Sequence, residues 1–358
     1  VQHSEQDFYD LGGHSLKAVM LLSRIYSEFK IRMELHDVQE NSTIHALSAR
    51  IQNELDCRCD ANSKEEFPEL EKIPNAPDYL LAPGQSRLWM LERLRGDGPS
   101  PFLMHATIEV ENELDRCALN DAFRGVLDKH SALRSCFVQT DQGAVRQKIV
   151  ELECIDAEVT WLAGLIEDDS LINYSRAETR KPFDLSAAPL VRLSGGLLKS
   201  GKTVLFITMH HIVSDGWSIG IFSRELTKNY AQATNSSGTK VVETSNLGAL
   251  EYSDYADWHR RWLVSEAGKR SANFWVQHFE IPIEALDLPV LSSRPKVKQS
   301  KGESVSIDID QKTWAQYKDL LCDSRMSEFA GLFSVLQLVL ARLSGQSNFS
   351  IGTAVAGR

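Results

Sequence analysis

The chain has 358 residues, a formal net charge of −10, and 42% hydrophobic against 25% charged residues, the composition of a globular protein and too apolar for a disordered one. Its 49 acidic against 39 basic residues argue against a protein that grips a nucleic-acid backbone, which needs a cationic surface, and no run approaches the ~20 apolar residues that cross a bilayer. The length corresponds to two or three domains of roughly 100–200 residues each.

The chain opens on VQHSEQDFYD, which lacks the basic-then-apolar order of a secretion signal. Six scattered cysteines (Cys57, Cys59, Cys117, Cys136, Cys154, Cys322) predict a reduced, cytoplasmic protein rather than a disulfide scaffold. Cys57 and Cys59 are too close for the usual zinc spacing and have no second pair, so no metal is expected. After Gly12-Gly13, apolar residues at Leu16, Val19, Leu22, Tyr26 and Phe29 recur every three or four positions and predict a helix. A second helical pattern runs from Thr43 through Ile44, Leu47 and Ile51 to Leu55, with Ser42 or Thr43 able to cap it. Residues 1–55 thus read as a small helical domain, short for an independent core, and a first helix is expected to be missing.

Residues 56–77 carry Pro68, Pro74 and Pro77, six acids, three bases and no apolar period, the composition of a linker. As a flexible coil its typical span is about 25 Å, at ~5–6 Å × √n, enough for the first domain to move. From residue 78 onward helix-like and strand-like patterns alternate, which predicts an α/β architecture. Leu119–Lys129 reads as a helix. Val204-Leu205-Phe206-Ile207 is apolar and β-favouring and reads as a strand buried on both faces. Ser218 opens a helical stretch reaching about Thr234. Glu328–Leu343 reads as a buried helix, apolar on most sides, and Phe349-Ser350-Ile351 as a short strand.

Two motifs carry chemistry. In Asp7-Phe8-Tyr9-Asp10-Leu11-Gly12-Gly13-His14-Ser15-Leu16 a serine precedes an amphipathic run. Alone, Ser15 is most simply a helix N-cap. The paired glycines keep it approachable, and a helix N-terminus favours a nearby phosphate. The whole string resembles the attachment motif of peptidyl carrier domains in non-ribosomal peptide synthetases. The resemblance covers about residues 4–55 and implies that the Ser15 hydroxyl carries 4′-phosphopantetheine.

The second motif, His210-His211-Ile212-Val213-Ser214-Asp215-Gly216-Trp217-Ser218, follows the predicted strand. Adjacent histidines on an extended chain face opposite sides, so one can reach a cleft while the other packs. Their divergence, with no Glu or further His at ligand spacing, disfavours a metal. Either histidine alone would be a satisfied core residue. The spacing His-His-x-x-x-Asp-Gly strongly resembles the active-site motif of condensation domains and related acyltransferases. His210, His211, Asp215 and Gly216 are then the candidate catalytic set. The resemblance implies that His211 faces the tunnel where thioester meets amine. It also implies that Asp215 is mainly structural, ion-pairing with an arginine, and that Gly216 gives the backbone freedom before the next helix.

Four further strings resemble the same family in the expected order: Leu81–Leu91, Lys129–Phe137, Tyr252–Trp258 and Ile351–Arg358. Pro182-Phe183-Asp184-Leu185 also fits. The second string departs at Ser131, where an acid is usual, and the last at Ala354, where proline is usual. Arg134 and Arg358 are the candidate partners of Asp215, because a buried charge is tolerated only when paired. The implied fold over residues 78–358 is a two-lobed, chloramphenicol acetyltransferase-like α/β domain. Its first lobe would span 78–258 and its second, at 259–358, would be incomplete.

The implied activity joins a carrier-bound acyl or peptidyl thioester to the amine of an aminoacyl group on a downstream carrier domain. An upstream adenylation domain and a phosphopantetheinyl transferase are the other implied partners. The alternatives are a catalytically incomplete carrier and binding platform, or an epimerisation-type relative. Trp217 directly after Gly216 fits condensation better than epimerisation. The intact histidine pair disfavours heterocyclisation and terminal cyclising relatives.

Overall fold

The computed structural model describes all residues except 1–5, 10, 12–14, 32, 58–67, 96–98, 168–169, 236–249, 282, 290–304, 325 and 354–358. Gly12, Gly13, Cys59 and Arg358 therefore lie outside the described residues, as does the side chain of Ser15. Residues 67–275 form one compact unit, and residues 1–66, 276–297 and 302–357 are grouped in a second.

The N-terminal region contains α1 (Ser15–Phe29), α2 (Leu35–Glu40) and α3 (Ile44–Cys57). The first and third are the two helices expected. Thr43 caps α3, its Oγ1 accepting the Ala46 N–H at 3.1 Å. The short α2 has no apolar period to announce it. It is held by the buried carboxylate of Asp37, which accepts from the Glu34 N–H at 2.7 Å and Arg50 Nε at 3.1 Å. Ala18 and Ile25, seven residues apart, are buried on the inner face of α1. Tyr26 and Phe29, expected on that face, are exposed.

Residues 67–275 run through β1 (Tyr79–Leu80), α4 (Pro83–Leu94), β2 (Leu103–Val110), α5 (Arg116–Lys129), β3 (Ser135–Gln139), β4 (Val145–Ile149), β5 (Thr160–Ile166), α6 (Leu171–Arg180), β6 (Val191–Leu198), β7 (Thr203–His210), α7 (Gly216–Asn235) and α8 (Tyr252–Val264) into α9 (Glu266–His278). The larger sheet has the order β2-β7-β6-β5, antiparallel except for the parallel pair β5–β6. A smaller antiparallel sheet has the order β1-β4-β3.

Strand β7 is central and buried throughout. Its β-branched and aromatic residues suit a pleated surface, and alternate side chains serve opposite faces. Leu205, Ile207 and Met209 pack in one core with Leu119, Phe123 and Val126 of α5 and Phe222 and Leu226 of α7. Val204 and Phe206 pack on the other side with Ile166, Leu198 and, from α6, Leu171 and Tyr174. The expected strand is present and longer at both ends. Both its sheet neighbours run antiparallel, so its two-sided burial comes from helices on each face.

Residues 68–73 are hydrogen-bonded along α8 rather than free as a coil. Trp258 Nε1 donates to the Pro68 carbonyl at 2.6 Å, and the Ile73 N–H donates to Asp254 Oδ1 at 2.9 Å. Arg261 Nη2 reaches the Glu69 carbonyl at 3.5 Å. Asp254, Trp258 and Arg261 share one face of α8 by their spacing of four and three. Trp258, the expected end of the first lobe, sits in the middle of α8.

The C-terminal region contains α10 (Gln311–Ser324) and α11 (Glu328–Ser344). They meet at Gly331, where a Cβ would collide with Tyr317 and Leu321. Ser327 caps the start of α11 by accepting the Ala330 N–H at 3.2 Å, and Gly345 ends it at φ +71°. The expectation that this helix is buried is not met: Phe329, Val335, Leu338 and Leu343 are exposed. An all-round apolar helix is buried only where elements surround it, and α10 packs on one side. Phe349–Ile351 is irregular rather than a strand, as no described strand ladders with it. No helix among the described residues is long and apolar enough to cross a membrane.

Candidate active site

Strand β7 ends at His210, and the chain turns through residues 211–215 into α7. His210 is 1% exposed. Its Nδ1 accepts the Ile212 N–H at 3.0 Å, so the ring proton sits on Nε2, 3.1 Å from Oε1 of Glu92 on α4. Phe183 meets the ring edge-on, with centroids 6.3 Å apart. Burial pushes His210 below the ordinary histidine value, and Glu92 offsets part of that. Burial would by itself raise the Glu92 carboxyl, but hydrogen bonds from Ser100, Arg95 and His210 outweigh it and hold Glu92 below the usual range. A neutral imidazole therefore donates to a carboxylate.

His211 donates from its other ring nitrogen. Its Nδ1 is 2.7 Å from the Ser214 carbonyl, which can only accept, so Nδ1 carries a proton, and in the neutral ring Nε2 is the acceptor. The ring is half-buried, and its backbone N–H donates to the Phe102 carbonyl at 2.8 Å. The turn is tied down on several sides. Ser214 Oγ donates to the His210 carbonyl at 2.9 Å, and Gln85 Nε2 of α4 donates to the Ile212 carbonyl at 3.3 Å. The two histidines thus have separate surroundings, as their adjacency on an extended chain implies.

Asp215 is the N-cap of α7. Its Oδ1 accepts the Ser218 N–H at 3.0 Å and the Ser218 hydroxyl at 2.8 Å, while Ser218 Oγ accepts the Asp215 N–H at 3.0 Å. This is a reciprocal capping box built from Asp and Ser. Arg134 is not brought to Asp215. Its Nε donates to the Leu127 carbonyl at 2.8 Å and its Nη1 to the Val150 carbonyl at 2.7 Å, tying the end of α5 to the exit of β4. Arg358 lies outside the described residues. Gly216 does not need the backbone freedom expected of it: its φ is not in the left-handed region. A Cβ there would meet nothing within 4 Å among the described residues, so the space over the start of α7 is open. Ser131, where an acid is usual in the resembling family, donates its hydroxyl to Glu251 ahead of α8.

Ser15 is the first residue of α1, and the first turn of that helix carries no acid. The positive end of the helix dipole suits a phosphodiester there. The start of the motif is pinned to the entry of α3: the Phe8 N–H donates to the Ser42 carbonyl at 2.7 Å, and the Ser42 hydroxyl donates to Asp7. Among the described residues, no group of three or more His, Cys, Asp or Glu is placed to hold a metal ion.

Four contributors escape a reading of the sequence: Gln85, Glu92, Ser100 and Ser214. The family-like string Leu81–Leu91 contains Gln85 and stops one residue short of Glu92. Their spacing of seven, which puts both on one helix face, is the signal that could have found them.

A family model described as "Condensation domain" matches residues 75–358, and one described as "Phosphopantetheine attachment site" matches residues 2–51. Malpinin synthetase of Mortierella alpina is 32% identical over 354 residues, covering 98% of this chain and 4% of that protein. A plipastatin synthase protein of Bacillus subtilis (strain 168) is 31% identical over 354 residues, covering 98% of this chain and 13% of that protein. The chain thus spans a small part of the length of the curated relatives it matches. Among solved structures, the X-domain from teicoplanin biosynthesis in complex with OxyB superposes with a TM-score of 0.65 at 23% identity, over 79% of this chain and 61% of that one. That likeness shows the fold.

Proposed function

The chain belongs to the condensation-domain family of non-ribosomal peptide synthetases, with a phosphopantetheine attachment domain ahead of it, and on that premise we propose that His211 assists attack of an amine on a carrier-bound thioester, forming an amide. The observation that carries this reading is the hydrogen bond from His211 Nδ1 to the Ser214 carbonyl. It holds the ring, and in the neutral imidazole it makes Nε2 the acceptor. Such a nitrogen can align an amine through its N–H or take its proton. An amine already neutral needs no strong base before attack, so alignment has most to contribute. Asp215 fixes the start of α7, and His210 packs beneath the turn.

Ser15 is the attachment residue in this reading, supported by its place at the head of a helix without an acid in its first turn. When bound there, the phosphopantetheine arm presents the acyl group as a thioester. The domains divide as a carrier at 1–55, a connecting segment at 56–77 whose later part lies along α8, and a condensation domain from residue 78, its first lobe running past Trp258 through the end of α8. The partners are an adenylation domain upstream, a carrier domain downstream and a phosphopantetheinyl transferase. Free thiols at Cys117, Cys136 and Cys154 favour the cytoplasm.

The test uses the full-length synthetase with both carriers loaded. Ser15→Ala should take up one arm fewer than the unaltered protein by intact mass, whereas His211→Ala should load normally. Amide formation in His211→Ala should fall by about 10²–10⁴-fold, the usual worth of a positioned acid–base group. An unchanged rate in that variant, or an unchanged number of arms in Ser15→Ala, would overturn the assignment.

A further inference from the structure

Two separate chains of hydrogen bonds leave the His211 segment and end on the same carboxylate. One runs through the backbone: the His211 N–H donates to the Phe102 carbonyl at 2.8 Å, the Phe102 N–H donates to Ser100 Oγ at 3.1 Å, and the Ser100 hydroxyl donates to Glu92 Oε1. The other runs through the neighbouring ring: the Ile212 N–H donates to His210 Nδ1 at 3.0 Å, and His210 Nε2 lies 3.1 Å from Glu92 Oε1. The peptide groups on both sides of the His211 Cα are thereby wired to one side chain of α4. Arg95 Nε donates to the other oxygen, Oε2, at 2.7 Å.

We propose that Glu92 is a positioning residue for the condensation reaction, holding His211 in register through both paths. The proposal rests on the reading of His211 as the working group. A carboxylate is required because each of its oxygens faces a group that can only donate, the His210 Nε2–H at Oε1 and the Arg95 Nε–H at Oε2, with the Ser100 hydroxyl donating beside them. A glutamine of the same shape would turn an NH₂ toward one of these donors. Glu92 is also the residue that selects the Nε2–H tautomer of His210, which frees Nδ1 to hold the Ile212 N–H. It touches neither thioester nor amine in this scheme and acts only through the placement of His211.

The experiment is a double-mutant cycle on the full-length synthetase with both carriers loaded, read as the single-turnover rate of amide formation. Thermal melts establish that each variant is folded. Glu92→Gln should slow amide formation by about 10- to 100-fold, the scale of a misplaced catalytic group. In the His211→Ala background the same substitution should change the rate by less than about twofold, because the group it places is gone. A wild-type rate in Glu92→Gln, or an equal loss in both backgrounds, overturns the proposal. An unaltered rate in His211→Ala alone overturns the functional reading and this proposal with it, so the two failures are told apart by the single variant. Should Glu92→Gln not fold, Ser100→Ala takes its place and cuts only the path through Phe102. A loss confined to the His211 background supports the wiring, and an equal loss in both backgrounds or no loss overturns it.

Discussion

In β7 every residue from Thr203 to His210 is buried, whereas Val305, Ile307 and Ile309, apolar at the same spacing of two, are 86%, 84% and 54% exposed. The helices repeat the contrast. The inward face of α5 buries Leu119, Phe123, Val126 and Leu127, while α11, the more apolar helix, exposes Phe329, Val335, Leu338 and Leu343. An apolar period states which side chains can share a face. Burial needs neighbours as well: β7 has a strand on each edge and helices on each face. The turn that carries His211 leaves from the end of the buried element, so the packing that covers β7 also fixes the starting point of His211.

The contrast can be broken most directly at Phe206, which is buried between Val204, Ile166 and Tyr174. Phe206→Ala should cost about 3–5 kcal/mol, combining lost transfer energy with the cavity left behind. Denaturant unfolding of the chain measures it. A loss below about 1 kcal/mol would mean that β7 is not the core element described.

Acid should act on the same region and spare the other. His210 has a folded value pushed below the ordinary ~6.5 by burial. The unfolded chain therefore binds the proton first as pH falls. Stability is full above about pH 6.5 and is lost below it, with a slope of at most about 1.4 kcal/mol per pH unit for one such group. His105 and His130, both lowered chiefly by burial, add the same sign. Glu92 is held below its usual value and stays charged through this window. No histidine occurs in residues 311–344, so α10 and α11 have nothing of this kind to titrate. Melts at about pH 7.5 and about pH 5.5 test the sign, and a higher melting temperature at the lower pH would contradict it.

Asp215 sharpens the boundary between core and site. As an N-cap it should cost about 1 kcal/mol when changed to alanine. As one member of a buried ion pair, the role the family resemblance implies, it would cost about 3–5 kcal/mol. The capping geometry with Ser218 favours the smaller figure. A thermal melt of Asp215→Ala decides between them, and the larger loss would point to a charged partner.

Much of this is legible in the sequence because the signals are local. Helices α1, α3, α5 and α7 follow from apolar spacing, and β7 from four β-favouring residues in a row. The divergence of His210 and His211 follows from the geometry of an extended chain. What escapes depends on contacts distant in sequence. Glu92 meets His210 across 118 positions and Gln85 meets Ile212 across 127, and no spacing rule on one segment reports such pairs. The strap of residues 68–73 has the composition of a linker, yet its bonds run to α8, more than 180 residues on. The family resemblance and charge together pair Arg134 with Asp215, whereas the carbonyls of Leu127, Val150 and Asp128 satisfy it.

The smallest effect is expected on α11, and it bears most directly on the contrast. Leu338 is 55% exposed, so its replacement removes few packed neighbours. Glutamine has nearly the helix propensity of leucine, so the helix itself should persist. Leu338→Gln should therefore change stability by no more than about 0.5 kcal/mol, as surface substitutions usually do. The same change at Ile207, buried in β7, would place an unsatisfied amide in the core. Removing one exposed leucine also shrinks an apolar patch of the kind that drives association. Sedimentation of the chain at high concentration should show less self-association in the variant. A stability loss above about 2 kcal/mol would show that α11 is covered in solution, since only a packed leucine carries that much. The exposed face would then belong with β7 rather than opposite it.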